Sequence, residues 1–288
     1  PIHFEAAVKA GKHVFMEKAV AADIPGVRRV LETAKEAKRK KLNVVVGLQR
    51  RYQTNYREAI KRVHDGAIGD VVSGQVYWNS GGVWVRPRKP NQTEMEYQMR
   101  NWYYFNWLCG DHIVEQHVHN IDIANWVKGK YPVSIQGTGS RAHRTGKEYG
   151  EIYDNFAIEL TYDDGSVVYS QCRHFEGIPN RVDETFQATK GRMYLSAGNQ
   201  AVLWGPDGKE IYRHDSKGNP NPYQQEHKEL FEAIAKGEYK FDNAEYGAYS
   251  TLTGIIGRIA VYTGEVITWD SVLASNFDMM PENSAWDA

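Results

Sequence analysis

Two rhythms of apolar and polar positions run along this chain, a helical one that dominates the first part and an alternating one that dominates the second. Phe4, Ala7, Val8 and Ala10 recur at helical spacing, with Gly11 placed to close the helix. This spacing is already running at Pro1, as expected of a chain that begins inside a longer pattern. His13–Met16 is a short apolar run and reads as a strand. Asp23 as N-cap and Pro25 in the first turn predict a helix over 25–41. Leu42–Leu48 is a continuous, mostly β-branched run, the pattern of a strand buried on both faces. Helix, strand, helix, strand in this order gives a right-handed βαβ unit with parallel strands. Glu17, Lys18 and Ala19 follow the first strand, and Gln49, Arg50, Arg51 and Tyr52 follow the second. Those carboxyl ends are where open α/β sheets bind ligands.

An amphipathic helix is expected over 55–64 and an alternating strand over 70–79. Residues 80–106 carry glycines, prolines and then Trp102, Tyr103, Tyr104, Phe105 and Trp107, and read as irregular. A stretch this long inside a domain is usually a functional lid or an arm into a partner. A single helix is expected over 109–129. Strand-like runs then follow at 133–142, 155–162, 166–175, 183–188, 193–195 and 202–204, with Asp163-Asp164-Gly165 as a hairpin turn. Consecutive strands imply a largely antiparallel sheet. Two helices, 223–236 and 244–263, close the pattern.

The helix over 109–129 is apolar on most sides, which marks it as buried. On an ideal helix His112, Glu115, His119 and Asp122 share roughly 80° of one face. Buried ionisable groups are costly unless paired or used, so this helix is the candidate active-site element. Glu115 and His119, four apart, are expected to touch, with the carboxylate orienting the imidazole and raising its basicity for proton abstraction; a purely structural Glu–His pair is the competing reading. His117 falls among apolar neighbours and reads as a core histidine. His112 binds substrate or caps the helix start. Three ligands at His112, Glu115 and His119 would allow a metal, but no zinc-helix spacing such as HExxH is present, and no metal is expected. Lys18 can hold an alcohol oxygen or place positive potential by a nicotinamide; pairing with Glu17 or plain surface exposure competes. Gly137-Thr-Gly139-Ser-Arg-Ala142 has the letters of a dinucleotide fingerprint, but no helical pattern follows it, so it is not read as a phosphate site.

The formal net charge of −1 gives nothing that favours nucleic acid. The run Lys35, Lys38, Arg39, Lys40, Lys41 ends a predicted helix, where cations complement the dipole, and reads as a solvated face. No apolar run approaches the ~18 residues of a membrane span. Two cysteines, Cys109 and Cys172, make neither a disulfide framework nor a zinc pattern. The 8 Trp and 18 Tyr suit stacking on flat or sugar-like ligands as well as ordinary cores.

GKHVFMEKA resembles the GKHV-x-x-EKP segment of the Gfo/Idh/MocA family, the relatives of glucose–fructose oxidoreductase and inositol dehydrogenase. LNVVVGLQRRY is similar to that family's next strand with its Arg-rich turn, and Glu115, His119 and Asp122 match the order of carboxylate, imidazole and aspartate on its central helix. The resemblance implies an α/β + α+β fold: the C-terminal remnant of a Rossmann-type parallel sheet over residues 1–52, then over 53–288 an open, mostly antiparallel β-sheet domain with helices on one face, whose closing helix packs back on the first part. It implies hydride transfer between a sugar or polyol carbon and NAD or NADP. Lys18, Glu115 and His119 would be catalytic. Arg50, Arg51, Tyr52, His112 and Trp107 would border the substrate, and Glu17, Lys18 and Gln49 the cofactor. A homo-oligomer built through the open sheet is expected. The sequence departs from the pattern by lacking the GxGxxG segment, by Ala19 for the usual Pro, by Glu115 for the commoner Asp, and by His117 for a usual Gly. Two other readings stand beside the dehydrogenase: a glycosidase or lyase working through a transient keto-sugar with His112 and His117 as acid and base, and a non-catalytic sugar-binding or assembly module.

Overall fold

The two short apolar runs near the amino terminus pair with each other and draw their flanking helices onto them. In the computed structural model, which describes residues 1–287, α1 (Ile2–Lys9) and β1 (Val14–Met16) are followed by α2 (Ile24–Arg39) and β2 (Val44–Val46). β1 and β2 are parallel, with Val14 opposite Val44. Asp23 caps α2 through the Gly26 amide at 2.8 Å, and Pro25 sits in its first turn, as the sequence predicts. A 3₁₀ turn over Gln49–Tyr52 then leads into α3 (Thr54–His64) and β3 (Val71–Ser80).

The arm after β3 is not wholly irregular. It contains α4 (Glu94–Arg100), started by a capping box in which Thr93 and Glu96 each bond the other's backbone amide. Nor is 109–129 one helix: α5 (Asn106–Cys109), α6 (His112–Glu115) and α7 (Val118–Lys128) are separate pieces. Next come β4 (Ser134–Ser140), β5 (Asn155–Thr161), β6 (Val167–His174), β7 (Arg181–Ala188), β8 (Gly191–Ser196), β9 (Gln200–Trp204) and β10 (Glu210–Arg213). The chain closes with α8 (Pro222–Ala235), α9 (Ala244–Thr263), β11 (Ile267–Thr268) and α10 (Trp269–Leu273).

The large sheet has nine strands in the order β10-β9-β8-β7-β3-β6-β5-β4-β11. It is antiparallel except where β3 runs parallel to β6. α3, α7 and α9 lie against one face. The other face carries exposed Gln75, Glu159, Gln187 and Arg192 beside half-buried Tyr77, Tyr169 and Tyr194. One apolar core joins Phe4 and Val27 of the first segment to Ile113, Ile158 and Leu252 of the second. α9 packs on α2 and β2 as well as on β4. Gly139 lies inside β4, where an added Cβ would stand 2.8 Å from Val261 of α9. Gly139 therefore serves close helix–strand packing, a Cβ on Gly137 would instead meet Ala157 and Ile158 of the neighbouring β5, and no helix begins there.

Candidate active site

The break between α6 and α7 sets the geometry of the site. Gly110 ends α5 in the left-handed region, and Asp111, also at positive φ (77°), caps α6 by accepting from the His112 amide. The His117 amide then reaches back to the His112 carbonyl at 3.2 Å, an i→i−5 bond that widens the turn. α7 starts afresh at Val118. The four-residue spacing of Glu115 and His119 therefore does not bring them together. Glu115 turns to Lys18, whose Nζ donates to Glu115 Oε1 at 2.5 Å and also to the Glu115 carbonyl. The expectation that Glu115 orients His119 is corrected accordingly: its partner is the lysine after β1. The peptide from Lys18 to Ala19 is cis.

His119 is 7 % exposed and its ring stacks on Trp78 of β3, with centroids 5.8 Å apart. Its Nδ1 is enclosed and finds no partner among the described residues. Burial, and after it the charges of Lys18 and Arg50 and the neighbouring His117, hold the imidazole well below its ordinary pKa. The ring is therefore neutral at physiological pH, the form that accepts a proton. Lys18 thus stands at a parallel-strand end close enough for its charge to act on His119.

The other residues fall into two groups. Gln49 Nε2 donates to the Tyr223 hydroxyl at 3.0 Å, and its buried Oε1 has no partner among the described residues. The Glu17 carboxylate lies against Gly47, which follows β2, and its charge, after burial, helps push the Glu226 carboxyl of α8 up to about 8. Both remain at the strand ends with Lys18. Arg50, Arg51 and Tyr52 do not face the site as a set. Arg50 is buried against Glu184. Arg51 forks onto Asp122 with two 2.8 Å bonds, between the rings of Trp126 and Tyr246. The Tyr52 hydroxyl accepts from Asn243, inside a small core under α8. Trp107 donates its indole N–H to Gln98 at 2.7 Å, within the arm. Arg51, Tyr52 and Trp107 spend their polar groups on the chain itself, which separates them from the strand-end group, whereas Arg50 keeps a buried Nε with no partner among the described residues and bears by its charge on His119.

His112 is enclosed, stacked on His174 at 4.2 Å, with Nδ1 2.9 Å from the Tyr103 hydroxyl and Nε2 without a partner among the described residues. Burial and the neighbouring His174 hold it well below its usual range. His117 is fully buried against Ser170 at 2.6 Å, and burial followed by Arg50 lowers it to about 3. Among the described residues no group of three or more His, Cys, Asp or Glu side chains is placed to hold a metal ion. Four residues near the site went unread in the sequence: Trp78, Tyr103, Asn120 and Glu184. Glu184 carried a signal, since it shares the inward face of β7 with Phe186. Asn120 carried none beyond its place next to His119.

Fold and site together define an α/β protein with a lysine and a neutral imidazole near the carboxyl end of a parallel strand pair. Residues 56–194 match the GFO/IDH/MocA C-terminal domain, which places that part of the chain in the Gfo/Idh/MocA family. It is 25% identical over 210 residues to an inositol 2-dehydrogenase from Rhizobium meliloti (strain 1021), covering 73% of this chain and 49% of that protein. The chain thus spans about half the length of this curated relative. In fold it is similar to the aldose-aldose oxidoreductase from Caulobacter crescentus complexed with glycerol (TM-score 0.73, 19% identity, 93% of this chain and 75% of that one). It is also similar to the scyllo-inositol dehydrogenase from Lactobacillus casei with bound NAD(H) and scyllo-inositol (TM-score 0.69, 19% identity, 95% and 77%).

Proposed function

We propose that this chain carries the acid–base half of a nicotinamide-dependent dehydrogenase acting on a hydroxyl-bearing carbon of a sugar or polyol. One observation carries the reading: Glu115 of α6 holds the Lys18 ammonium at the end of β1, and the buried His119 ring at the start of the next helix, α7, stacks on Trp78 with an Nδ1 that has no partner among the described residues. A hydroxyl placed between them gives its proton to the imidazole, while the Lys18 ammonium stabilises the negative charge left on the oxygen. Glu115 holds Lys18 by its Nζ and so fixes where that charge stands. The dinucleotide, when bound, supplies the hydride acceptor. The residues at the strand ends fit its nicotinamide portion: Lys18 as a cation, and Gln49 Oε1 as a buried acceptor without a partner among the described residues. Glu17 would border the same place. NAD is favoured as the class by the bound cofactor of the scyllo-inositol dehydrogenase, and the inositol and sugar substrates of the relatives favour a polyol.

Residues 1–52 on this reading are the last part of a Rossmann-type sheet, in which β1 is paired on one side only. Residues 53–288 are the substrate and assembly domain, and the open sheet face is covered by a second copy of the chain. The test is turnover of polyols with NAD and NADP in the natural protein that carries this sequence. His119→Ala is expected to lower kcat/KM by about 10²–10⁴-fold, and Lys18→Met by a similar factor. Release of an aglycone without accumulation of reduced nicotinamide would instead indicate elimination chemistry.

A further inference from the structure

A buried polar network beneath His119 is not used by the acid–base pair described above. β7 turns Glu184 and Phe186 toward the helix-covered face, and both are 0 % exposed. A carboxylate at an inward position of a central strand is costly unless its charge is matched. Glu184 is matched from three elements. Oε1 accepts from Arg50 Nη1 at 2.5 Å and from Asn120 Nδ2 at 2.5 Å, and Oε2 accepts from the Tyr56 hydroxyl at 2.9 Å. Arg50 comes from the turn after β2, Asn120 from the first turn of α7, and Tyr56 from α3. Well-packed apolar side chains of similar volume often stabilise a core as well as such a buried ion pair. Stability alone therefore does not account for the network, and what it places becomes the question.

It places the surroundings of His119. Asn120 is the next residue in the chain. The Arg50 guanidinium lies over the same indole, Trp78, that the His119 ring stacks on, at 5.5 Å and 5.8 Å. Trp78 stands two residues along β3 from Val76, the cross-strand partner of Glu184. The first turn of α7 is closed by the Asn120 and Ile121 amides on the His117 carbonyl at 2.9 and 3.1 Å, while the His119 amide reaches the Gln116 carbonyl only at 3.4 Å. These bonds set the shape of the turn, and its side-chain contacts, Asn120 to Glu184 among them, set how it sits against the sheet.

We propose that Glu184 is a positioning residue for His119: through Asn120 it fixes the first turn of α7, and through Arg50 it fixes the cation that shares Trp78 with the imidazole. The inference rests on the reading of His119 as the base. The groups that face His119 are Lys18 from the end of β1, Arg50 from the end of β2, His117 from the start of α7 and Trp78 from β3. Glu184 is the carboxylate that balances Arg50 among them.

The test is ¹⁵N-histidine NMR on the whole chain, with the His119 ring signals identified by their loss in His119→Gln. The wild-type ring is expected to be neutral, with its ring-proton signals displaced by the Trp78 indole it stacks on. In Glu184→Leu that displacement is expected to be lost. Glu184→Gln, which still accepts from Asn120, is expected to keep most of it, and Tyr56→Phe, which leaves Arg50 and Asn120 in place, all of it. A folded Glu184→Leu with the wild-type ring-proton shifts overturns the proposal, as does a Tyr56→Phe effect as large as that of Glu184→Leu. Should Glu184→Leu not fold, Asn120→Ala breaks the same link and is judged by the same criterion. In the natural protein kcat is expected to fall about 10²-fold in Glu184→Leu with KM little changed. If His119→Ala keeps full turnover while the ring-proton displacement is lost in Glu184→Leu, the base assignment fails and the positioning contact stands.

Discussion

At the scale of single residues, the interior is rich in groups held away from their ordinary charge. His117 is pulled down from 6.5 to about 3, chiefly by burial. The unfolded chain protonates this ring between those two values and the folded chain does not. Stability is thus lost as pH falls from about 6.5 toward 3, at up to about 1.4 kcal/mol per pH unit. Chemical denaturation at a series of pH values is expected to show a shallower acid limb in His117→Gln. Glu226 works in the other direction. Its carboxyl is raised from 4.5 to about 8 by burial and by Glu17, so the folded chain holds a proton that the unfolded chain has released. Stability falls as pH rises through that window, and Glu226→Gln is expected to flatten the slope by up to about one proton. Equal slopes in wild type and variant would contradict either assignment.

At the scale of elements, α9 decides how the first segment meets the second. An added Cβ on Gly247 would come within 2.9 Å of Val46 Cγ2 on β2. Val46 is β-branched and fully buried, so it has little freedom to move away. Gly247→Leu is therefore expected to destabilise by about 1–3 kcal/mol, although a helix interior alone would favour the change by up to about 1 kcal/mol. A rise in the denaturation midpoint would show that the approach is not tight. α9 also illustrates what the sequence reveals about elements. Its bounds, the Asp23 cap of α2 and the alternation of β5 and β6 could all be read locally, because caps and periodicity are local signals. The Thr93–Glu96 capping box was just as local and marks α4, a helix inside a stretch that composition alone made irregular. The break at Gln116–His117 carried no such sign. Its cause is tertiary: Lys18 draws Glu115 one way, while Trp78 and Ser170 hold His119 and His117 another. Helical spacing consequently gave Glu115 the wrong partner. The partners of Arg50 and Arg51 were hidden for a related reason, since only the fold shows that Glu184 and Asp122 pair with their guanidinium groups.

At the scale of the whole molecule, a nine-stranded sheet has helices on one face and Tyr77, Tyr169 and Tyr194 half-buried on the other. Such a face is expected to be covered by a second copy. Sedimentation equilibrium of the chain should then give an oligomer that Tyr169→Glu weakens, and a stable monomer across the concentration range would contradict this. The central claim concerns the two groups that this architecture brings together from distant positions in the chain, Lys18 and His119. The most direct measurement is formation of reduced nicotinamide by the natural protein over a panel of inositols and pyranoses, compared with His119→Ala. The account predicts turnover of at least one polyol and a loss of about 10²–10⁴-fold in the variant. Turnover left unchanged by His119→Ala, or no reduction of NAD or NADP with any of the polyols, would contradict it.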